Sequence, residues 1–133
     1  MPNITYEIKR PISAGQLADV FKRSGIARPI EDLPRMAKML EHANILVTAW
    51  DRDLLVGVAR ALSDFSFCCY LSDLAVDSAY QKSGIGKELI DLVHKVSGDS
   101  TMLLLLAAPS AMPYYPKVGF EAVANGWIIK RKA

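Results

Sequence analysis

The stretch that most constrains this chain is Gln81-Lys82-Ser83-Gly84-Ile85-Gly86-Lys87 and the residues on either side of it. Upstream, FCCYLSDLAV over 67–76 reads as a strand. Downstream, Ile85, Leu89, Leu92, Val93 and Val96 recur at helical spacing, with Lys87, Glu88, Asp91 and Lys95 on or near the opposite face. Asp91 and Lys95 stand in the favourable i,i+4 order. A strand that passes through two glycines into a strongly amphipathic helix forces a layered fold, because the helix must lay its apolar stripe on the sheet it has just left. It also leaves the first N–H groups of that helix without intrahelical partners, facing outward with a partial positive charge.

The rest of the chain supplies the sheet. Residues 3–9 alternate, with Ile4, Tyr6 and Ile8 on one face. Ser13 and Gln16 form a capping-box pattern ahead of Leu17, Val20 and Phe21, and Gly25 is a natural stop. A second helix is expected from Asp32, with Pro34 in its first turn and Leu33, Met36, Ala37 and Leu40 as its stripe. Residues 44–50 and 54–62 read as strands joined by a turn at Asp51-Arg52-Asp53. The run Met102–Ala107 shows no alternation, which predicts a central strand buried on both faces. A short helix over 110–117 and strands over 120–123 and 126–131 complete the expectation. The predicted order is β-α-α-β-β-β-α-β-α-β-β, an α/β (α+β) mixed sheet with helices on its faces. At 133 residues the chain is read as a single domain, 1–133.

Composition excludes several classes. The net charge of +2 is too small, and the basic residues too dispersed, for nucleic-acid binding to be expected; the Lys130-Arg131-Lys132 cluster reads as a solvated end. The longest apolar run, 102–108, is far short of the roughly 20 residues that cross a bilayer, so no membrane partner is expected. The N-terminal residues contain no apolar core of signal-peptide length. Cys68 and Cys69 are adjacent and point to opposite faces of an extended strand, so they do not pair with each other. A cytoplasmic setting is the expectation. His42 and His94 have no partner at metal-ligand spacing, and no metal is expected.

Two well-known phosphate loops fail on QKSGIGK. A nucleoside-triphosphate loop needs glycine where Gln81 stands and a hydroxyl where Glu88 stands. A dinucleotide fingerprint needs a third glycine at Leu89. What survives is the physics common to both: glycines let an oxygen approach backbone N–H groups at a helix N-terminus.

The motif resembles that of the GNAT superfamily of acyl-CoA-dependent N-acetyltransferases. Gln81-x-x-Gly84-x-Gly86 fits the family's central Arg/Gln-x-x-Gly-x-Gly/Ala signature. YLSDLAVDSAYQ looks like the family's fourth strand and its exit, and AMPYYPKVGF like its closing element, carried by Tyr115, Lys117, Gly119 and Phe120. The resemblance implies a mostly antiparallel twisted sheet of about seven strands flanked by about four helices. It implies acetyl-CoA as cosubstrate and direct attack of an amine on the thioester. By the same resemblance the backbone of Gln81, Lys82, Ser83, Gly84, Ile85, Gly86 and Lys87 binds the pyrophosphate, with Gln81 bracing the turn or reaching a phosphate oxygen. The edge of Leu74, Ala75 and Val76 receives the pantetheine arm, as an added strand would be received.

Tyr115 stands at the position of the family's general acid, with Tyr114 one residue off that spacing. The family's strand-four glutamate is replaced by Tyr70, which leaves Asp73, Asp64 or a water chain as the candidate base. Alternation puts Asp73 on the face opposite Tyr70, Ser72 and Leu74. A fifth-strand asparagine of many relatives is Ala108 here. The acceptor amine is expected near residues 25–33, where Arg28, Glu31 and Asp32 either recognise charge or form a solvated loop. Pairing of two copies through terminal strands is common in the family, so a homodimer is among the expectations. A non-catalytic acyl-CoA-binding domain on the same scaffold is the alternative.

Overall fold

The computed structural model describes residues 2–132. Strand β1 (Ile4–Ile8) is followed by helices α1 (Ala14–Ser24) and α2 (Leu33–His42). Strands β2 (Ile45–Asp51), β3 (Leu54–Ser63) and β4 (Cys68–Val76) come next, then α3 (Ile85–Ser97), β5 (Met102–Leu104) and the single-turn α4 (Tyr114–Lys117). Short 3-10 turns at Ser78–Tyr80 and Pro109–Ala111 precede α3 and α4. The sheet runs β1-β2-β3-β4-β5, antiparallel throughout except for the parallel β4–β5 pair.

Local chemistry sets the helix ends. Ser13 accepts from the Gln16 amide while the Gln16 side chain accepts from the Ser13 amide, the reciprocal capping box. Gly25 closes α1 in the left-handed conformation, and Asp32 caps α2 ahead of Pro34. On one side of the sheet α3 packs Ile85, Leu89, Ile90 and Val93 against Val47, Ala49, Ala59, Ala61 and Leu71. On the other, Leu17, Val20 and Phe21 of α1 and Met36 of α2 pack with Trp50, Val58 and Ala75. Gly57 lets α3 lie close: a Cβ there would meet Leu89 at 3.1 Å and Ile85 at 3.2 Å.

Three expectations from the sequence fail. The strands over 120–123 and 126–131 are not formed, so the sheet has five strands among the described residues and not about seven, and the predicted order stops after α4. Residues 121–132 are all exposed and touch no ladder, and strand propensity without a partner to pair with does not make a strand. The 102–107 run is not a central strand. Only 102–104 pair, β5 is an edge, and Met102 and Leu104 are exposed. The expected Asp91–Lys95 pair is replaced by Lys87 Nζ to Asp91 Oδ2 at 2.8 Å, a surface i,i+4 contact in the reverse order.

Candidate active site

The site begins with an irregularity in β4. Arg60 pairs with Asp73 while its neighbour Ala61 pairs with Leu71, so Ser72 is an extra residue in the ladder, a β-bulge. The bulge switches the parity of the strand. Cys69 and Leu71 face α3 before it, and Leu74 and Val76 do so after it. Simple alternation is therefore wrong in setting Asp73 opposite Tyr70 and Ser72: the bulge returns Asp73 to the face of Tyr70, and both Ser72 and Asp73 reach Arg60 on the α1–α2 side. Period-two patterning alone does not reveal such an insertion, because one extra residue leaves each half of the strand alternating normally.

Next to the bulge the sheet opens. Strands β4 and β5 pair only at Cys68–Met102, Cys69–Leu103 and Tyr70–Leu104. Beyond these residues β4 runs on to Val76, and 105–108 no longer pairs with it. Over Leu74, Ala75 and Val76 the edge of β4 that β5 would otherwise cover has no strand partner, and of its backbone groups the Val76 carbonyl is taken by the Gln81 side chain.

The chain then enters the glycine motif through a braced turn. Asp77 is buried, accepts from the Ala79 amide at 2.9 Å, and is held by Arg23 of α1 at 2.6 Å. Gln81 Nε2 donates to the Val76 carbonyl at 2.9 Å, so its side chain ties the strand exit to the motif. Tyr80 donates to Asp51 at 2.6 Å, and Ser83 donates to the Tyr80 carbonyl. Lys82 and Gly84 both take positive φ, 67° and 85°. Gly84 is the N-cap of α3 and makes no side-chain cap, while the Glu88 amide bonds the Gly84 carbonyl. The amides of Ile85, Gly86 and Lys87 stand at the uncapped start of the helix, the arrangement that receives an anion.

The two glycines have different jobs. A Cβ on Gly84 would meet nothing within 4 Å, so this residue is glycine for its backbone angle and for open space in front of the amides. A Cβ on Gly86 would lie 2.7 Å from the Tyr114 hydroxyl. Gly86 is thus the seat of an aromatic ring from α4. Pattern reading assigned both glycines to the ligand and gave Tyr114 no role; only the fold brings residues 86 and 114 together.

Tyr115 lies beside Tyr114, edge-on at 5.3 Å between ring centroids, and edge-on to Phe120 at 5.5 Å. Its phenol is pushed above the usual tyrosine value, first by burial and then by Tyr114, with the Arg28 charge acting in the opposite sense. It is a neutral O–H at physiological pH.

Asp73 is placed differently from a base. Its side chain is 0% exposed, with Oδ1 held by Arg28 Nε at 2.6 Å and Oδ2 by Arg60 Nε. Both oxygens are committed, and no incoming amine has access to them. Asp64 accepts from the amides of Ser66, Phe67 and Cys68 in the β3–β4 turn, which holds its carboxyl down at about 2. That is a turn-forming role at the surface. Cys68 is exposed and its thiol is pushed up, chiefly by the Asp64 charge, while Cys69 is buried. Among the described residues no group of three His, Cys, Asp or Glu side chains could hold a metal ion. No described helix is long and apolar enough to cross a membrane.

A parted β4–β5 pair next to an uncapped, glycine-opened helix is the architecture of an acyl-CoA-dependent transferase fold, and comparison with known proteins agrees. Residues 17–128 match the family model described as the acetyltransferase (GNAT) domain, and the chain belongs to that family. It is 36% identical over 120 residues to a soybean (Glycine max) protein named histone acetyltransferase TAP1, a match covering 89% of this chain and 48% of that protein. An uncharacterized ycf52-like N-acetyltransferase of Prochlorococcus marinus is 30% identical over 105 residues, 74% of this chain and 57% of the relative. The chain thus spans about half the length of these curated relatives. Among solved structures, a Staphylococcus aureus protein of unknown function superposes with a TM-score of 0.77 at 25% identity, covering 98% of this chain and 100% of that one. A Streptococcus pneumoniae GNAT-family acetyltransferase shares the fold at a TM-score of 0.76 and 20% identity, over 97% of this chain and 100% of that one.

Proposed function

We propose that the chain transfers an acetyl group from acetyl-CoA to a primary amine of a small molecule or protein, by direct attack of the amine on the thioester. The observation that carries this reading is the conjunction at one end of the sheet: the free edge of Leu74–Val76, the uncapped amides of Ile85, Gly86 and Lys87, and the neutral phenol of Tyr115. The pyrophosphate of coenzyme A sits on the motif backbone from Lys82 to Lys87, with Gln81 and Ser83 fixing the turn beneath it. The pantetheine amides pair with the β4 edge as an added strand would.

In the reaction the amine nitrogen forms a bond to the acetyl carbon and the carbon–sulfur bond breaks. The nitrogen gives up its proton to water, because Asp73 is already engaged on both oxygens. The departing thiolate takes its proton from the Tyr115 phenol, which solvent then reprotonates. An aliphatic ammonium has a pKa near ~10.4, so deprotonation of the acceptor limits the rate at neutral pH and the rate rises with pH.

Coenzyme A binding measured by calorimetry, together with thiol release from acetyl-CoA across a panel of amines, tests this. Turnover with at least one amine is the expected result. Tight coenzyme A binding without thiol release for any amine would replace it with the binding-module alternative.

The reading includes two copies of the chain working as a pair. Residues 121–132 are exposed throughout, with Trp127 at 96% and Ile129 at 98%, and Asn125-Gly126 is a hairpin-turn signal between the two apolar runs. An apolar segment without a ladder and a β5 edge without a neighbour suit each other across two molecules. Light scattering should give twice the monomer mass for the whole chain, and the monomer mass after truncation at Phe120.

A further inference from the structure

We infer that Arg28 is a positioning residue, one that pins the loop between α1 and α2 to the bulge of β4 and thereby sets the acceptor end of the cleft. This inference rests on the acetyl-transfer reading for its functional half, while its structural half stands on geometry alone.

The loop 25–32 has few backbone bonds of its own, chiefly Ile30 N–H to the Arg28 carbonyl at 2.8 Å and Asp32 N–H to the Pro29 carbonyl at 3.1 Å. Ile26 and Ile30 rest partly buried against the α1–α2 core cluster. Its directed connection to the sheet is the Arg28 side chain. Nε donates to Asp73 Oδ1 at 2.6 Å and Nη2 to the Ser72 carbonyl at 2.8 Å, 45 and 44 residues away in sequence. Nη1 folds back to the Ala27 carbonyl at 2.7 Å, which fixes the guanidinium relative to its own loop. The fork therefore grips the two residues that make up the bulge, Ser72 and Asp73, and does so where β4 turns free of β5. From the sheet side Arg60 holds the same carboxylate and also bonds the Ser72 hydroxyl at 3.0 Å and the Met39 carbonyl at 3.3 Å.

The two arginines are not equivalent. Loss of either leaves Asp73 paired with the other, but Arg60 is a buried strand residue whose removal empties a place in the core, whereas the Arg28 side chain is 27% exposed and stands on a loop. Arg28 is thus the member that changes loop position without dismantling the core. Its charge also acts on the Tyr115 phenol, in the sense opposite to burial. Planar bidentate grip of this kind is a property of guanidinium that an ammonium reproduces only in charge.

The experiment compares wild type, Arg28→Lys and Arg28→Ala by hydrogen exchange and by steady-state kinetics with the best amine found. Arg28→Ala should speed amide exchange in residues 25–32 by at least tenfold and leave α3 and the motif unchanged. It should raise the acceptor KM and lower kcat while the acetyl-CoA KM stays within twofold. Arg28→Lys should recover part of the acceptor KM. Unchanged exchange in the loop would overturn the pin. Faster exchange with acceptor kinetics unaltered would overturn its part in the reaction. A wild type with no turnover on any amine refutes the acetyl-transfer reading and with it the functional half of the inference, and the exchange data still decide the structural half.

Discussion

The proposed cofactor end and the proposed acceptor end of the cleft are held together by different kinds of bond. At the cofactor end the surfaces are main chain: the free edge of β4 and the uncapped amides of α3, with side chains only bracing the turn from behind. At the acceptor end the surfaces are side chains: the Arg28–Asp73–Arg60 cluster and Tyr115. Main-chain surfaces are set by backbone angle and tolerate many residues. A buried charge cluster is set by specific partners and fails when one is lost. Substitutions at the acceptor end should therefore act through stability or turnover, and those at the cofactor end through backbone strain and affinity.

The largest effect is expected at Asp73. Asp73→Ala leaves the buried Arg60 guanidinium without its carboxylate, and breaking such a pair costs about 3–5 kcal/mol. Urea unfolding measures it. An Asp73→Ala protein that unfolded like wild type but had lost turnover would make Asp73 the base and undo the contrast between the two ends. Tyr115→Phe tests the same end through chemistry. Removing a general acid lowers kcat by about 10²–10⁴-fold, and the coenzyme A dissociation constant should stay unchanged because the motif backbone is untouched. Turnover that survives in Tyr115→Phe would assign the acid elsewhere.

At the cofactor end Gly84→Ala forces a side chain into the left-handed region, at about 1–2 kcal/mol. Open space around that position means the cost is strain and not collision. Coenzyme A affinity should fall with little change in the acceptor KM, the reverse of the pattern expected for Arg28. Gly86→Ala brings a collision instead, since Tyr114 must move from its 2.7 Å approach. In a Tyr114→Phe background, where the hydroxyl is gone, Gly86→Ala should be milder, a coupling that a double-mutant cycle reads directly.

This contrast also explains what the sequence could reveal. The strand–glycine–helix turn was legible because its causes are local: glycine at a left-handed position, a strand before it, an amphipathic helix after it. The capping box at Ser13 and the stop at Gly25 were legible for the same reason. The Arg28–Asp73–Arg60 cluster was not, because it joins residues 45 and 13 positions apart through a bulge that leaves alternation intact on either side. The C-terminal strands were misread because strand propensity is present but no strand stands beside them to complete a ladder. The 102–107 run was misread because apolar content cannot tell a buried central strand from an edge whose outer side is still uncovered.

The smallest effect belongs to a carboxylate outside both ends. Asp64 is held at about 2, below its ordinary value of 3.8, mainly by the amides of Phe67, Cys68 and Ser66. A carboxyl whose folded value lies below its unfolded one contributes stability that is fully present above 3.8 and fades as pH falls toward about 2. Asp64→Asn keeps a carbonyl oxygen for the three amides but has no proton to bind. Its stability should differ from wild type by a constant amount at neutral pH, with the difference shrinking through that acid window. Parallel urea midpoints between pH 5 and 2 measure this, and acetyl-transfer rates at neutral pH should be the same for both proteins. A loss of turnover in Asp64→Asn would move the proton acceptor from water to the β3–β4 turn, and would then require that turn to reach across to the thioester.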